Sequence, residues 1–214
     1  MSLKKRLQQS VKAWIKEVKD NKELIVLSLF LLVLSIVINY NAGRYTTNVG
    51  SSTVPDFFID NTTPINLTPL FVWGWMIIVA LLFIYPLFFK ISKISDTISH
   101  FSLLIIIRSF FITLTHLKTP VDAISINFPG MLNLLAFQND LFFSGHAAIP
   151  FLGFLLFKKD KIRYVFLVVS IIMACTVLLM HQHYTIDVLS AYFITYGTFK
   201  IGKFLFKNLE KSKD

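Results

Sequence analysis

Six long apolar runs, separated by polar or basic connections, dominate the chain. Measured against the roughly 17–25 residues a helix needs to cross a bilayer, they predict spans over 24–40, 70–89, 98–117, 141–157, 162–180 and 184–206. Helices are the expected spanning elements for runs this long, because lipid cannot satisfy open backbone groups. The fourth run is short, and Pro150 inside it predicts a bend. The expected fold class is therefore all-α, a polytopic membrane protein built as one six-transmembrane-helix bundle over 24–206. A basic segment, 1–23, precedes it and a short tail, 207–214, follows.

Ahead of the first run, Leu3, Leu7, Val11, Trp14 and Val18 fall at helical spacing with lysines between them. That pattern suits either an amphipathic helix lying on anionic headgroups or a solvated basic tail. The first run starts too late for a cleaved signal peptide and reads as a retained anchor. The connection 41–69 is rich in Thr, Asn and Pro, whereas 118–140 is mildly apolar. The latter carries Pro120 and a Pro129-Gly130 turn and is expected to fold back against the bilayer surface.

Composition agrees with the membrane class: 55% of the 214 residues are hydrophobic and 15% charged, with mean hydropathy +0.65. The net charge of +9 would suit a nucleic-acid binder until its placement is considered. Of the 21 Lys and Arg, all but Arg44, Lys118 and Arg108 fall on one side of the predicted bundle. The positive charge is a topology signal that puts both termini in the cytoplasm. Nucleic acid is not an expected partner; the lipid bilayer is. The single Cys175 rules out an intramolecular disulfide.

With that topology, two short segments reach the outer face at the same depth: Ser144-Gly145-His146 and His183-Tyr184-Thr185-Ile186-Asp187. Two imidazoles and a carboxylate are a minimum set for metal-free phosphoryl transfer through a phosphohistidine. A spacing of four puts His183 and Asp187 on one helical face, where the carboxylate can hold a ring N–H and free the other nitrogen to attack phosphorus. Ser144 reads as a helix cap, Gly145 as room for a ligand, and His146 as the acid for the leaving oxygen. Arg108, inside the third run, needs an acidic or phosphate partner, with Asp187 or a substrate phosphate as the candidates. His100, His116 and His181 read as structural. A metal pair at His181 and His183 lacks accompanying ligands, so neither metal nor organic cofactor is expected.

These residues resemble the sphingomyelin synthases, within the wider phosphatidic acid phosphatase type 2 superfamily. The family pattern H-Y-T-x-D-V-x2-A-Y-x6-F is met by His183, Tyr184, Thr185, Asp187, Val188, Ala191, Tyr192 and Phe199. D-x3-S-G-H is met by Asp140, Ser144, Gly145 and His146, and R-x6-T by Arg108 and Thr115. Val54-Pro55-Asp56 partly matches the family's P-L-P-D. The chain departs at Gln138-Asn139, where the family has Cys-Gly, at Ala147 for Thr, and at Gly202-Lys203 for Tyr-His.

The resemblance covers roughly 54–199. It implies a six-span fold whose His-His-Asp site faces the exoplasmic or periplasmic side. His183 would attack the donor phospholipid, and His146 would protonate departing diacylglycerol and then deprotonate an acceptor such as ceramide. Asp187 would orient His183, while Arg108, Asp140, Ser144, Gly145, Tyr184 and Asp56 would line the substrate site. The partners implied are thus a membrane phospholipid and a lipid alcohol, ceramide or diacylglycerol. A lipid phosphate phosphatase or a phospholipase C-like hydrolase is the alternative, although K-x6-R-P is absent and Thr176-Val177 stand where that branch has Ser-Arg. A non-catalytic lipid-binding relative is a third reading. The compact chain leans toward a bacterial inner membrane.

Overall fold

The computed structural model describes residues 3–128, 130 and 137–211. Seven α-helices account for most of them: α1 Leu3–Asp20, α2 Lys22–Val49, α3 Trp75–Phe89, α4 Ile94–Leu114, α5 Gly145–Leu156, α6 Arg163–Leu179 and α7 Thr185–Lys211. A π-helical turn, Leu70–Gly74, leads directly into α3, and a 3-10 turn, Ile91–Lys93, into α4. Among the described residues there is no strand, only one isolated parallel bridge between Ser52 and Leu117. The expected Pro129-Gly130 turn falls partly outside the described residues.

Three helical stretches are long and apolar enough to cross a membrane: Lys22–Val49, Leu70–Phe89 and Ile91–Leu114. Those helices fit an integral membrane protein. The other three predicted spans take a different form. α5 has 12 residues, about 18 Å of helix against a hydrocarbon core of about 30 Å. Its shortness has a local cause, because the backbone of 139–144 is diverted into an irregular segment. α6 is apolar but has 17 residues, and α7 is long enough but dilutes its apolar face with Asp187, Ser190, Thr195, Thr198 and Lys200.

α4 is the central helix, packed along both α2 and α7, while α5 sits between α6 and α7. α2 turns a seam of small residues inward: Ser28, Ser35, Ala42, Gly43 and Thr46 are its buried positions. Small side chains allow close helix approach where lipid supplies no hydrophobic drive. The opposite face of α2 leaves Val26, Phe30, Val33 and Val37 exposed, as a lipid-facing helix would. α2 also continues nine residues past the expected end at Tyr40. There Thr47 donates its hydroxyl to the Gln138 carbonyl, tying the helix to the segment ahead of α5.

Of the two forms open to the basic segment the chain takes a helix, α1, with Val11, Trp14 and Ile15 exposed and the Trp14 indole N–H donated to the Leu87 carbonyl. That bond anchors the basic helix at the end of α3. At the centre of the bundle Leu82, Leu104, Ile112, Leu152 and Phe166 are wholly buried.

α5 and α6 meet at Gly153, where an added Cβ would lie 2.5 Å from the Phe166 ring. Phe166 is itself wholly buried. Gly153→Ala is expected to cost about 1–3 kcal/mol, the usual penalty of overpacking, read as a lower thermal midpoint in detergent. Ala147→Gly, in the same helix, should not reproduce the clash.

Candidate active site

α7 begins at Thr185, so His183 and Tyr184 precede the helix rather than share a face of it. The expected pairing still forms, but across the helix N-terminus. Asp187 sits in the first turn of α7, where an acidic side chain suits the positive end of the helix dipole. One carboxylate oxygen accepts from Tyr184 N at 2.9 Å and lies 3.1 Å from His183 Nδ1. Its other oxygen accepts from Phe142 N at 2.8 Å. Asp187 is completely buried and His183 is 6% exposed. Among the described residues none bonds to His183 Nε2.

Asp56 supports the same turn from the outer loop. Its carboxylate accepts from Thr185 N at 2.7 Å and from the Thr185 hydroxyl at 2.9 Å, and also from the N–H groups of Phe58 and Ile59. Burial alone would raise the Asp56 carboxyl. The hydrogen bonds from Ile59, Thr185 and Phe58 outweigh it and hold the group below its ordinary value of 3.8. The expected substrate residue Asp56 thus stands as the cap of the helix that carries Asp187.

Residues 139–144 form the other wall. Asn139 has φ 61° and Phe142 φ 74°. Asn tolerates the left-handed region and here occupies the position where the resembled family has Gly; a bulky Phe rarely adopts it. The strained backbone at Phe142 is held on both sides. Asp187 takes the Phe142 N–H, and the Ser190 hydroxyl donates to the Phe142 carbonyl. The Asp187 carbonyl accepts from Ser144 N at 3.2 Å.

Arg108 fastens the remainder. Its Nε donates to the Phe143 carbonyl at 3.3 Å, Nη1 to Asn39 Oδ1 at 3.1 Å, and Nη2 to the carbonyl and the carboxylate of Asp140. The carboxylate that Arg108 meets is therefore Asp140 and not Asp187, which replaces one of the two partners expected from sequence. Of five guanidinium N–H groups, these bonds leave one, on Nη1, for any ligand. Gly145 fits beneath, since a Cβ there would stand 3.5 Å from Arg108 Nε.

Ser144 occupies the N-cap position of α5 but makes no side-chain cap bond, contrary to expectation; its hydroxyl is buried without a partner. His146 is the second residue of α5. Its ring stacks on Phe71 at 3.9 Å between centroids and lies 5.4 Å from Trp75. Its Nε2 is buried and unpartnered, while His183 and Arg108 are near enough to act on it electrostatically. The structure thus brings His146, His183, Asp187, Arg108, Asp140, Ser144 and Gly145 together around the start of α5. Tyr184 is 1% exposed, with its hydroxyl donated to the Lys118 carbonyl at 2.9 Å, so it packs beneath the site. Thr115 caps α4 with its hydroxyl buried and unpartnered.

The remaining histidines have other partners. His181 bridges Asp122 and Thr62, His116 meets Tyr45, and His100 meets Asp96 on the far half of α4. Among the described residues no group of three or more His, Cys, Asp and Glu could hold a metal. Sequence reasoning passed over Asn39, Ser190, Phe71 and Trp75. Only Asn39 had given a signal, as an isolated amide within an apolar run.

A buried His–Asp pair thus lies beside a second imidazole at one end of an apolar helical bundle. Residues 139–204 match the family model described as PAP2 superfamily C-terminal. The match runs from the irregular segment through His146, His183 and Asp187, about the last third of the chain. The match points to the PAP2 superfamily, whose members are phosphatases and phosphotransferases. No curated protein and no solved structure matches the chain.

Removing one member of the Arg108–Asp140 pair strands the other. Side chains of the pair are 9% and 25% exposed, so the penalty should fall below that of a sealed pair, at about 2–3 kcal/mol for Arg108→Met. Asp140→Asn in the same background is expected to recover part of it, as read from thermal midpoints in a double-mutant cycle. Additive losses would show that the two side chains act independently.

Proposed function

We propose that this protein is a phospholipid headgroup phosphotransferase resembling the sphingomyelin synthases. It would move a phospho-headgroup from a glycerophospholipid to a lipid alcohol, ceramide or diacylglycerol, by way of a phosphohistidine. The observation that carries the reading is the His183–Asp187 pair. Nδ1 is engaged by the carboxylate, and among the described residues nothing bonds Nε2, beside a second imidazole whose own buried Nε2 is unpartnered.

In this reading His183 Nε2 attacks phosphorus, and the bond to the diacylglycerol oxygen breaks. His146 supplies the proton that oxygen takes up. In the second half-reaction His146 removes the proton of the incoming hydroxyl, and the P–N bond breaks as the new P–O bond forms. One residue serves as acid and then base because the second step mirrors the first. Buried Asp187 balances the positive charge on His183 while the intermediate exists.

Charge decides between a diester and a monoester donor. A phosphomonoester dianion calls for several cations, whereas a diester carries one negative charge. Arg108 is the one cation on the spans near the site, and Asp140 already neutralises it. That balance favours a diester, hence transfer or phospholipase C-like cleavage over a lipid phosphate phosphatase. In the same reading all six apolar runs are embedded, with both termini cytoplasmic and the site opening to the exoplasmic or periplasmic side. The short α5 would reach the outer face through the buried segment 139–144, where irregular backbone is tolerated because protein satisfies it. A bacterial inner membrane is the setting we favour.

Purified protein in mixed micelles with labelled phosphatidylcholine, phosphatidylethanolamine or phosphatidic acid, with and without ceramide, tests the proposal. The expected product is a ceramide-dependent phosphosphingolipid, absent from His183→Ala and reduced about 10²–10⁴-fold in His146→Ala. Free phosphate released from phosphatidic acid, with no effect of ceramide, would make the protein a lipid phosphatase. Unchanged lipids with both wild type and His183→Ala would point to a non-catalytic relative.

A further inference from the structure

His183 has a carboxylate to hold its ring, but His146 has none. Among the described residues no acidic side chain bonds to it, and its Nε2 has no hydrogen-bond partner. Leaving a buried polar nitrogen unpaired is costly, and a free imidazole would rotate between rotamers. Some other feature has to fix its plane.

That feature is the turn entering α3. Leu70–Gly74 is a π-helical turn, a rare conformation that occurs mostly as single turns at functional sites. The wider turn brings Phe71 and Trp75, four residues apart, against the same imidazole. Phe71 is 5% exposed and lies face to face with the His146 ring at 3.9 Å, tilted by 31°. Trp75 follows at 5.4 Å and 36°. The Phe71 backbone is also a polar neighbour of the imidazole. Phe128 closes the back of the wall, 6.1 Å from Phe71 and 6.5 Å from Trp75.

We propose that Phe71, presented by the π-helical turn, is the positioning residue of His146: it fixes the plane of the second imidazole so that Nε2 faces the leaving oxygen. The inference rests on the phosphotransferase reading above. Phe71 touches no substrate in this account and acts through His146 alone. An ordinary packing role would place an aromatic wall against any apolar side chain. Here the wall surrounds an imidazole whose Nε2 is buried and, among the described residues, unbonded, which packing alone does not require.

The test separates the two roles through the leaving group. Diacylglycerol must be protonated as it departs, whereas p-nitrophenolate leaves as the anion. Phe71→Leu keeps an apolar side chain but removes the stacked ring; Phe71→Met serves if the leucine variant does not fold. Single-turnover cleavage of phosphatidylcholine and phosphatidylethanolamine is compared with the burst of p-nitrophenolate from p-nitrophenyl phosphocholine and p-nitrophenyl phosphoethanolamine. The expected result is a loss of about 10²-fold on the phospholipid, the low end of a general acid's contribution, with the nitrophenyl burst within about threefold of wild type. Equal losses on both substrates, or no loss on either, would overturn the proposal. A wild type with no His183-dependent burst or cleavage would overturn the phosphotransferase reading itself, whatever the Phe71 variants do.

Discussion

The carboxylate of Asp187 is the constraint on which the site depends. It is fully buried and accepts from the backbone of Tyr184, from the ring of His183 and from the backbone of Phe142. One group therefore caps α7, orients an imidazole and holds the loop that precedes α5. Were it neutralised or removed, three donors would be orphaned together, each costing the desolvation of a buried polar group. The linkage also explains how residues far apart in sequence arrive at one place. The Ser144 N–H on the Asp187 carbonyl fixes the start of α5 against the start of α7.

Arg108 performs the matching task from the opposite side. An intramembrane guanidinium is expensive unless paired, and here it is occupied by Asp140, Asn39 and the Phe143 carbonyl. Its charge helps set the field of the site, but most of its donors maintain shape. Together Arg108 and Asp187 allow a non-helical, positive-φ backbone to exist inside an apolar bundle. The same arrangement leaves Ser144 Oγ and His146 Nε2 unsatisfied at the helix N-terminus.

Much of the site could be read in the chain before any coordinates. His183 and Asp187 at a spacing of four, the Ser-Gly-His segment and an arginine inside an apolar run each carry chemistry that an ordinary lipid-facing helix has no use for. The geometry beneath them was less legible. The His183–Asp187 pair spans a helix start, which residue spacing alone cannot tell from a helix face. Ser144 has the residue type of a cap without its bond. The π turn at Leu70–Gly74 and the positive φ of Phe142 arise from tertiary contacts and leave no local mark in an apolar sequence. Hydropathy likewise placed the end of the first helix at Tyr40, yet α2 runs through polar residues to Val49 because Thr47 and Gly50 pack against 138–139. The six apolar runs were evident, but run length could not show that part of the fourth is irregular.

The most direct test of the account is to identify the atom that carries the phosphoryl group during turnover. Wild-type protein would be quenched in base, where phosphohistidine survives, and its peptides examined by mass spectrometry for a headgroup phosphate. The account predicts the adduct on His183, and its disappearance in Asp187→Ala. An adduct on His146, or none in an enzyme that is turning over, would contradict it.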